Sequence, residues 1–120
     1  WQHAQSYRRG MEFNVPLLSV NGRKQEGRLP AKSSFCSCSA ANVVLSSVEP
    51  GSNSITLRVY EAEGSATTNV SLRLEADVVS VTETDLTGAA IREIDIDGRS
   101  GAICFDIGAF EIKTFCFALG

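Results

Sequence analysis

The chain has 120 residues, 43% of them apolar and 21% charged, with a formal net charge of −3 at pH 7. That length supports one domain with a real core and is too short for a multidomain enzyme. The mild acidity gives no electrostatic reason to expect nucleic acid or an anionic membrane as a partner. No apolar run approaches the roughly 18–20 residues of a bilayer-spanning helix, and no basic-then-apolar leader opens the sequence. The start at Trp1 rather than Met reads as a processing boundary.

Residues 1–12 lack a clear period and read as a tether or short helix. Leu17-Leu18-Ser19-Val20 reads as a strand, closed by the Asn21-Gly22 turn. Gly22 to Lys32, polar and carrying Pro30, reads as a loop. Ala41 to Val48 is apolar and β-branched, and Glu49-Pro50-Gly51-Ser52-Asn53 turns the chain. Ile55, Leu57 and Val59 then alternate with Thr56, Arg58 and Tyr60, the period of a half-buried strand. After Gly64-Ser65, Val70, Leu72 and Leu74 repeat that alternation, which predicts a hairpin partner for the preceding strand. Val79 and Val81 continue the pattern up to the turn residues Thr84-Asp85-Leu86-Thr87-Gly88. Ile94 and Ile96 alternate with Glu93, Asp95 and Asp97 before Asp97-Gly98, and residues 102–107 and 110–119 supply two last strands. Seven or eight short strands at roughly ten-residue spacing predict an all-β antiparallel sandwich, immunoglobulin-like or jelly-roll-like.

Four cysteines are present, and Cys36 and Cys38 alternate so as to share one strand face. Their spacing does not suit a mutual disulfide. Cys104 and Cys116 lie in apolar strand-like segments and read as small buried hydrophobes. The paired C-x2-C knuckles of a zinc site are missing. This usage predicts a reducing, cytoplasmic compartment, with a lysosomal or secretory parent as the alternative.

Residues able to do chemistry are sparse. His3, the sole histidine, reads as an ordinary exposed residue, so neither a catalytic triad nor a histidine-rich metal centre is available. Glu93, Asp95 and Asp97 fall on one strand face opposite Ile94 and Ile96, the pattern of a solvated outer face rather than of a glycosidase acid pair. The same run is no EF-hand, because position twelve of such a loop would be Cys104. Glu61 and Glu63 end a strand on one face. Trp1, Tyr7 and Tyr60 are the candidate sugar-stacking rings but are scattered. Asn69-Val70-Ser71 is a formal glycosylation sequon inside a predicted strand, and no glycine-rich phosphate loop occurs. No catalytic, cofactor-binding or metal-ligating residue is assigned.

Several blocks, in order, carry a family resemblance: Glu12-Phe13-Asn14-Val15-Pro16-Leu17, residues 43–48, the Leu57-Arg58-Val59-Tyr60-Glu61-Ala62-Glu63-Gly64 stretch, Thr84-Asp85-Leu86, and Ile107 to Phe115 with its Phe110-Glu111-Ile112-Lys113-Thr114 core. Together they resemble the closing β-rich domain of glycoside hydrolase family 38 α-mannosidases, departing from it at Ala109, where proline is usual. The resemblance implies a zinc-dependent retaining α-mannosidase parent acting on α-mannosyl linkages of glycans, with zinc and nucleophile in a catalytic domain outside this chain. It further implies that the present domain is non-catalytic and packs on the catalytic and middle domains of its own parent, with a share in one wall of the substrate cleft. Arg58, Tyr60 and Glu61 are then candidates for the docking surface, joined by Phe115 and Phe117 on a strand that reads as apolar on both faces. An autonomous carbohydrate-binding module or an immunoglobulin-like interaction domain are the alternatives.

Overall fold

A computed structural model describes residues 5–23, 26–27 and 30–120, and the chain divides into two units, Trp1–Ser33 and Ser34–Gly120. Trp1 and His3, named above, lie outside the described residues. In the first unit the helix α1, Ser6–Asn14, buries no side chain and carries the exposed pair Arg9–Glu12. The strand predicted at Leu17–Val20 does not form there: the segment is unpaired, and Leu17, Leu18 and Val20 are exposed. A strand is stabilised by its ladder, and an apolar run without a neighbouring edge has none.

The second unit is a sandwich of two antiparallel sheets, as its period-2 patterning requires. Among the described residues its strands are β1 (Cys36–Cys38), β2 (Val43–Pro50), β3 (Ser54–Glu61), β4 (Thr67–Leu74), β5 (Val78–Thr84), β6 (Ala90–Ile94), β7 (Ala102–Ile107) and β8 (Ile112–Leu119). One sheet has the order β1-β4-β7 and the other β2-β3-β8-β5-β6.

The register explains the burial. Leu57 lies opposite Phe115 and Ile55 opposite Phe117, while Val81 faces Phe117 from the other side, so these residues share the inner face. Val70, Leu72 and Leu74 from β4, with Ile103, Phe105 and Ile107 from β7, supply the opposing layer. The Phe105 and Phe115 rings meet across it with centroids 4.6 Å apart, within the range favoured by tilted aromatic pairs.

Three expectations need correction. The β3 strand does not form a hairpin with β4; it pairs with β2 and β8, and the chain passes into the other sheet after Glu61. Val79 is exposed because a bulge between Val78 and Ser80 turns it out of the alternation. Cys104 is exposed, since it alternates with the buried Ile103 and Phe105. By contrast Cys36 and Cys38 do share a face packed on the core, and all four thiols are free.

Phe117 is fully buried, so Phe117→Ala leaves a cavity no small rearrangement fills and should lower stability by about 3–5 kcal/mol. Val79→Ala, at the exposed bulge, should stay within about 0.5 kcal/mol. Urea unfolding of both variants checks the assignment, and equal midpoints would contradict it.

Candidate functional site

The five residues expected on a docking surface do not lie together. Phe115 and Phe117 are 0% exposed and point into the core, so β8 is not apolar on both faces; its other face carries Thr114 and Cys116. Glu61 is 1% exposed. Arg58 and Tyr60 are half-buried on the outer face of the five-stranded sheet, next to Thr114 and Ile112 respectively. Ile112, the register partner of Tyr60, is 52% exposed, and Phe110, at the turn before β8, is 66% exposed.

Glu61 has a different task. It ends β3 on the inner face, where the chain must leave its sheet, and its carboxylate collects donors from three connections. Oε1 accepts from the Glu63 amide at 2.8 Å and from Asn42 Nδ2 at 2.9 Å. Oε2 accepts from the amides of Gly64 at 2.7 Å, Ser65 at 3.1 Å and Phe110 at 3.0 Å. Asn42 also reaches Thr67 Oγ1 at 2.8 Å, which ties in the start of β4. Burial opposes the charge on this group, but the bonds from Phe110, Glu63, Asn42 and Gly64 outweigh it and hold the pKa down at about 2. Gly64 sits at φ +76°, and a Cβ there would come within 2.6 Å of the Phe110 ring. The Tyr60-Glu61-x-x-Gly64 pattern is therefore an anchor for a crossover.

Glu83 is the second buried carboxylate. It lies opposite Phe115 on the inner face and accepts from Lys113 Nζ and Arg92 Nε, both at 2.7 Å. Burial favours its neutral form, yet the bonds and charges of Lys113 and Arg92 lower its pKa. Burial likewise works against the Lys113 ammonium, while Glu83 and Glu111 raise its pKa on balance. Lys113 and Arg92 line a cleft of about 780 Å³ along the edges of β6 and β7. Glu93, Asp95 and Asp97 are exposed on its rim, as their alternation predicts. Asp97 accepts from the Ser100 hydroxyl and the Arg99 and Ser100 amides, which lower its pKa and stabilise the turn. Asp85 holds the β5–β6 turn in the same way, through Thr87 and Ala89.

Asn69, of the sequon, is exposed at φ +54° in a bulge of β4, with its amide donating to Asp106 Oδ1. Tyr7 and Tyr60 lie in different units. Among the described residues no three His, Cys, Asp or Glu side chains are grouped to hold a metal ion.

Fold and side chains together define a β-sandwich domain whose buried carboxylates serve crossovers and ion pairs. Residues 42–115 match the glycosyl hydrolases family 38 C-terminal beta sandwich domain, and the chain belongs to that family. The matched span runs from Asn42 to Phe115 and so contains the whole Glu61 network. No curated protein and no solved structure matches the chain significantly.

Two measurements test this account. Glu61→Gln keeps the shape but replaces an acceptor oxygen by a donor among donors, so it should cost about 2–3 kcal/mol at pH 7. The native carboxyl is depressed to about 2; its stabilisation is complete above the unfolded value near 4.5 and fades as pH falls toward 2. The gap between wild type and variant in urea midpoint should therefore narrow over that window, and a gap independent of pH would contradict the assignment. The second concerns Ala109, which stands second in a turn closed by the Glu111 amide donating to Gly108 O at 3.2 Å, with Phe110 third at φ +57°. Proline suits that position, so Ala109→Pro should raise stability by about 0.4–1 kcal/mol, read as a higher thermal midpoint.

Proposed function

We propose that this chain is the non-catalytic, C-terminal structural domain of an α-mannosidase that cleaves α-mannosyl linkages of glycans. The family membership over residues 42–115 carries the reading. The use of both buried carboxylates in structural bonds supports it, because a glycosidase acid pair needs carboxyls free to meet a sugar. The zinc and the nucleophile of the retaining reaction belong to the catalytic domain of the parent; the residues described here do not fit a zinc site.

In this reading the domain packs on the catalytic and middle domains of its own chain. The exposed Ile112, register partner of Tyr60, and the exposed Phe110, whose ring lies against Gly64, are suited to that contact. Arg58 is less suited, since its guanidinium is turned to Thr114 and Glu49 on the sheet itself. Free thiols fit a parent of the reducing cytoplasm.

An antibody against the 120-residue chain should recover from source cells a polypeptide several times longer. That precipitate should hydrolyse an aryl α-mannoside and lose the activity to a zinc chelator, while the 120-residue chain alone should fold without turnover. A short, inactive native polypeptide would sink the proposal.

A further inference from the structure

The outer face of the five-stranded sheet bears a pocket of about 390 Å³ between β3, β8, β5 and the turn that follows β5. That volume lies at the small end of the range for small-molecule sites, roughly 300–1,000 Å³. Its lining is rich in hydroxyls, with Thr56, Thr82, Thr84 and Thr114 on three adjacent strands. Thr84 and Thr114 are register partners, and Arg58 Nε donates to Thr114 Oγ1 at 3.3 Å. Arg58 also pairs with Glu49 at 3.4 Å, which brings a cation and an anion to the same wall. Thr84 is 8% exposed, and its Oγ1 has no hydrogen-bond partner among the described residues. Buried hydroxyls without partners are exceptions in native proteins and call for a physical account.

We propose that this pocket binds a neutral, polyhydroxylated molecule of pyranose size. An anion is disfavoured because Glu49 and Asp85 outnumber Arg58 in the lining, and a cation is disfavoured by Arg58 itself. A neutral polyol meets neither objection. Each of its hydroxyls donates and accepts, as do the threonine hydroxyls, while the Arg58 fork donates and Glu49 accepts. The exposed Leu86 in the same lining offers an apolar contact for the C–H face of a sugar ring. Thr84 Oγ1 is itself buried, so in this proposal it meets the ligand only after the Thr84 side chain turns about its Cα–Cβ bond.

This inference goes beyond the reading of the chain as a terminal domain and does not depend on it. The test is a titration of the 120-residue chain with methyl α-D-mannopyranoside, methyl α-D-glucopyranoside and inorganic phosphate, followed by amide NMR shifts. Either pyranoside should give saturable shifts at Thr82, Thr84 and Cys116, and phosphate should give none. Thr84→Val removes the unpaired hydroxyl at nearly constant volume, so its thermal midpoint should be equal to or above wild type. Its pyranoside affinity should nonetheless fall about tenfold. Arg58→Lys, which keeps the charge and loses the fork, should weaken binding as well. Absence of saturable shifts, saturation by phosphate, or wild-type affinity in both variants would overturn the proposal. None of these results bears on the size or activity of the native polypeptide, which tests the parent separately.

Discussion

A carboxylate taken out of water must find donors for nearly all of its lone pairs, or it protonates. Glu61 meets that requirement with four backbone amides and one side-chain amide, and much of the sandwich follows from where those donors come from. They belong to the crossover after β3, the turn before β8 and the entry to β2, so one side chain fixes three connections at once. The exchange is mutual: amides at chain reversals would otherwise lack acceptors, and the carboxylate would otherwise carry an unpaired buried charge. Gly64 then has two reasons to be glycine, a left-handed backbone and the Phe110 ring lying against it.

Glu83 solves the same problem with cations. Lys113 and Arg92 neutralise it from two strands, which replaces a hydrophobic inner layer by an ionic one where the sheets open toward the β6–β7 edge. The worth of such a pair is limited by the cost of desolvating its members. Removing Lys113 would leave the buried Glu83 with only the more exposed Arg92 as its partner. The two carboxylates thus close different parts of the sandwich by different chemistry, amides for Glu61 and ion pairs for Glu83.

The strands were legible in the sequence because their signal is local. Ile55-Leu57-Val59, Val70-Leu72-Leu74 and Ile103-Phe105-Ile107 each alternate, and each is buried as that period demands. Pairing was not legible, since period 2 states which face is buried and is silent on which strand lies beside it; hence the β3–β4 hairpin that the spacing suggested is a crossover. Bulges misled in the same way at Val79, where one extra residue changes the face. Phe115 and Phe117 read as a docking surface because Phe110 and Ile112 precede them at even positions and the stretch after Thr114 is apolar at odd and even positions alike. The positive φ of Phe110 and the turn before Glu111 end one element and begin another, and that lies outside any alternation rule. Of the candidate site, the residue type of Glu61 was visible and its burial was not. A strand-end glutamate reads as exposed until the amides it caps are placed in space.

Register is where these threads meet. On β8 the odd residues Lys113, Phe115 and Phe117 face inward and the even residues Ile112, Thr114 and Cys116 outward. A slip of one residue would exchange the two sets, sending two phenylalanines to solvent and a lysine away from Glu83. The hydrophobic preference of Phe115 and Phe117 resists that slip from within the strand. The bond from the Phe110 amide to Glu61 resists it from the strand's entrance, by fixing how the turn delivers the chain into β8. The ion pair of Lys113 and the threonine-lined outer face both depend on this parity, so the buried carboxylate at the end of β3 sets the chemistry of a surface to which it contributes no atom.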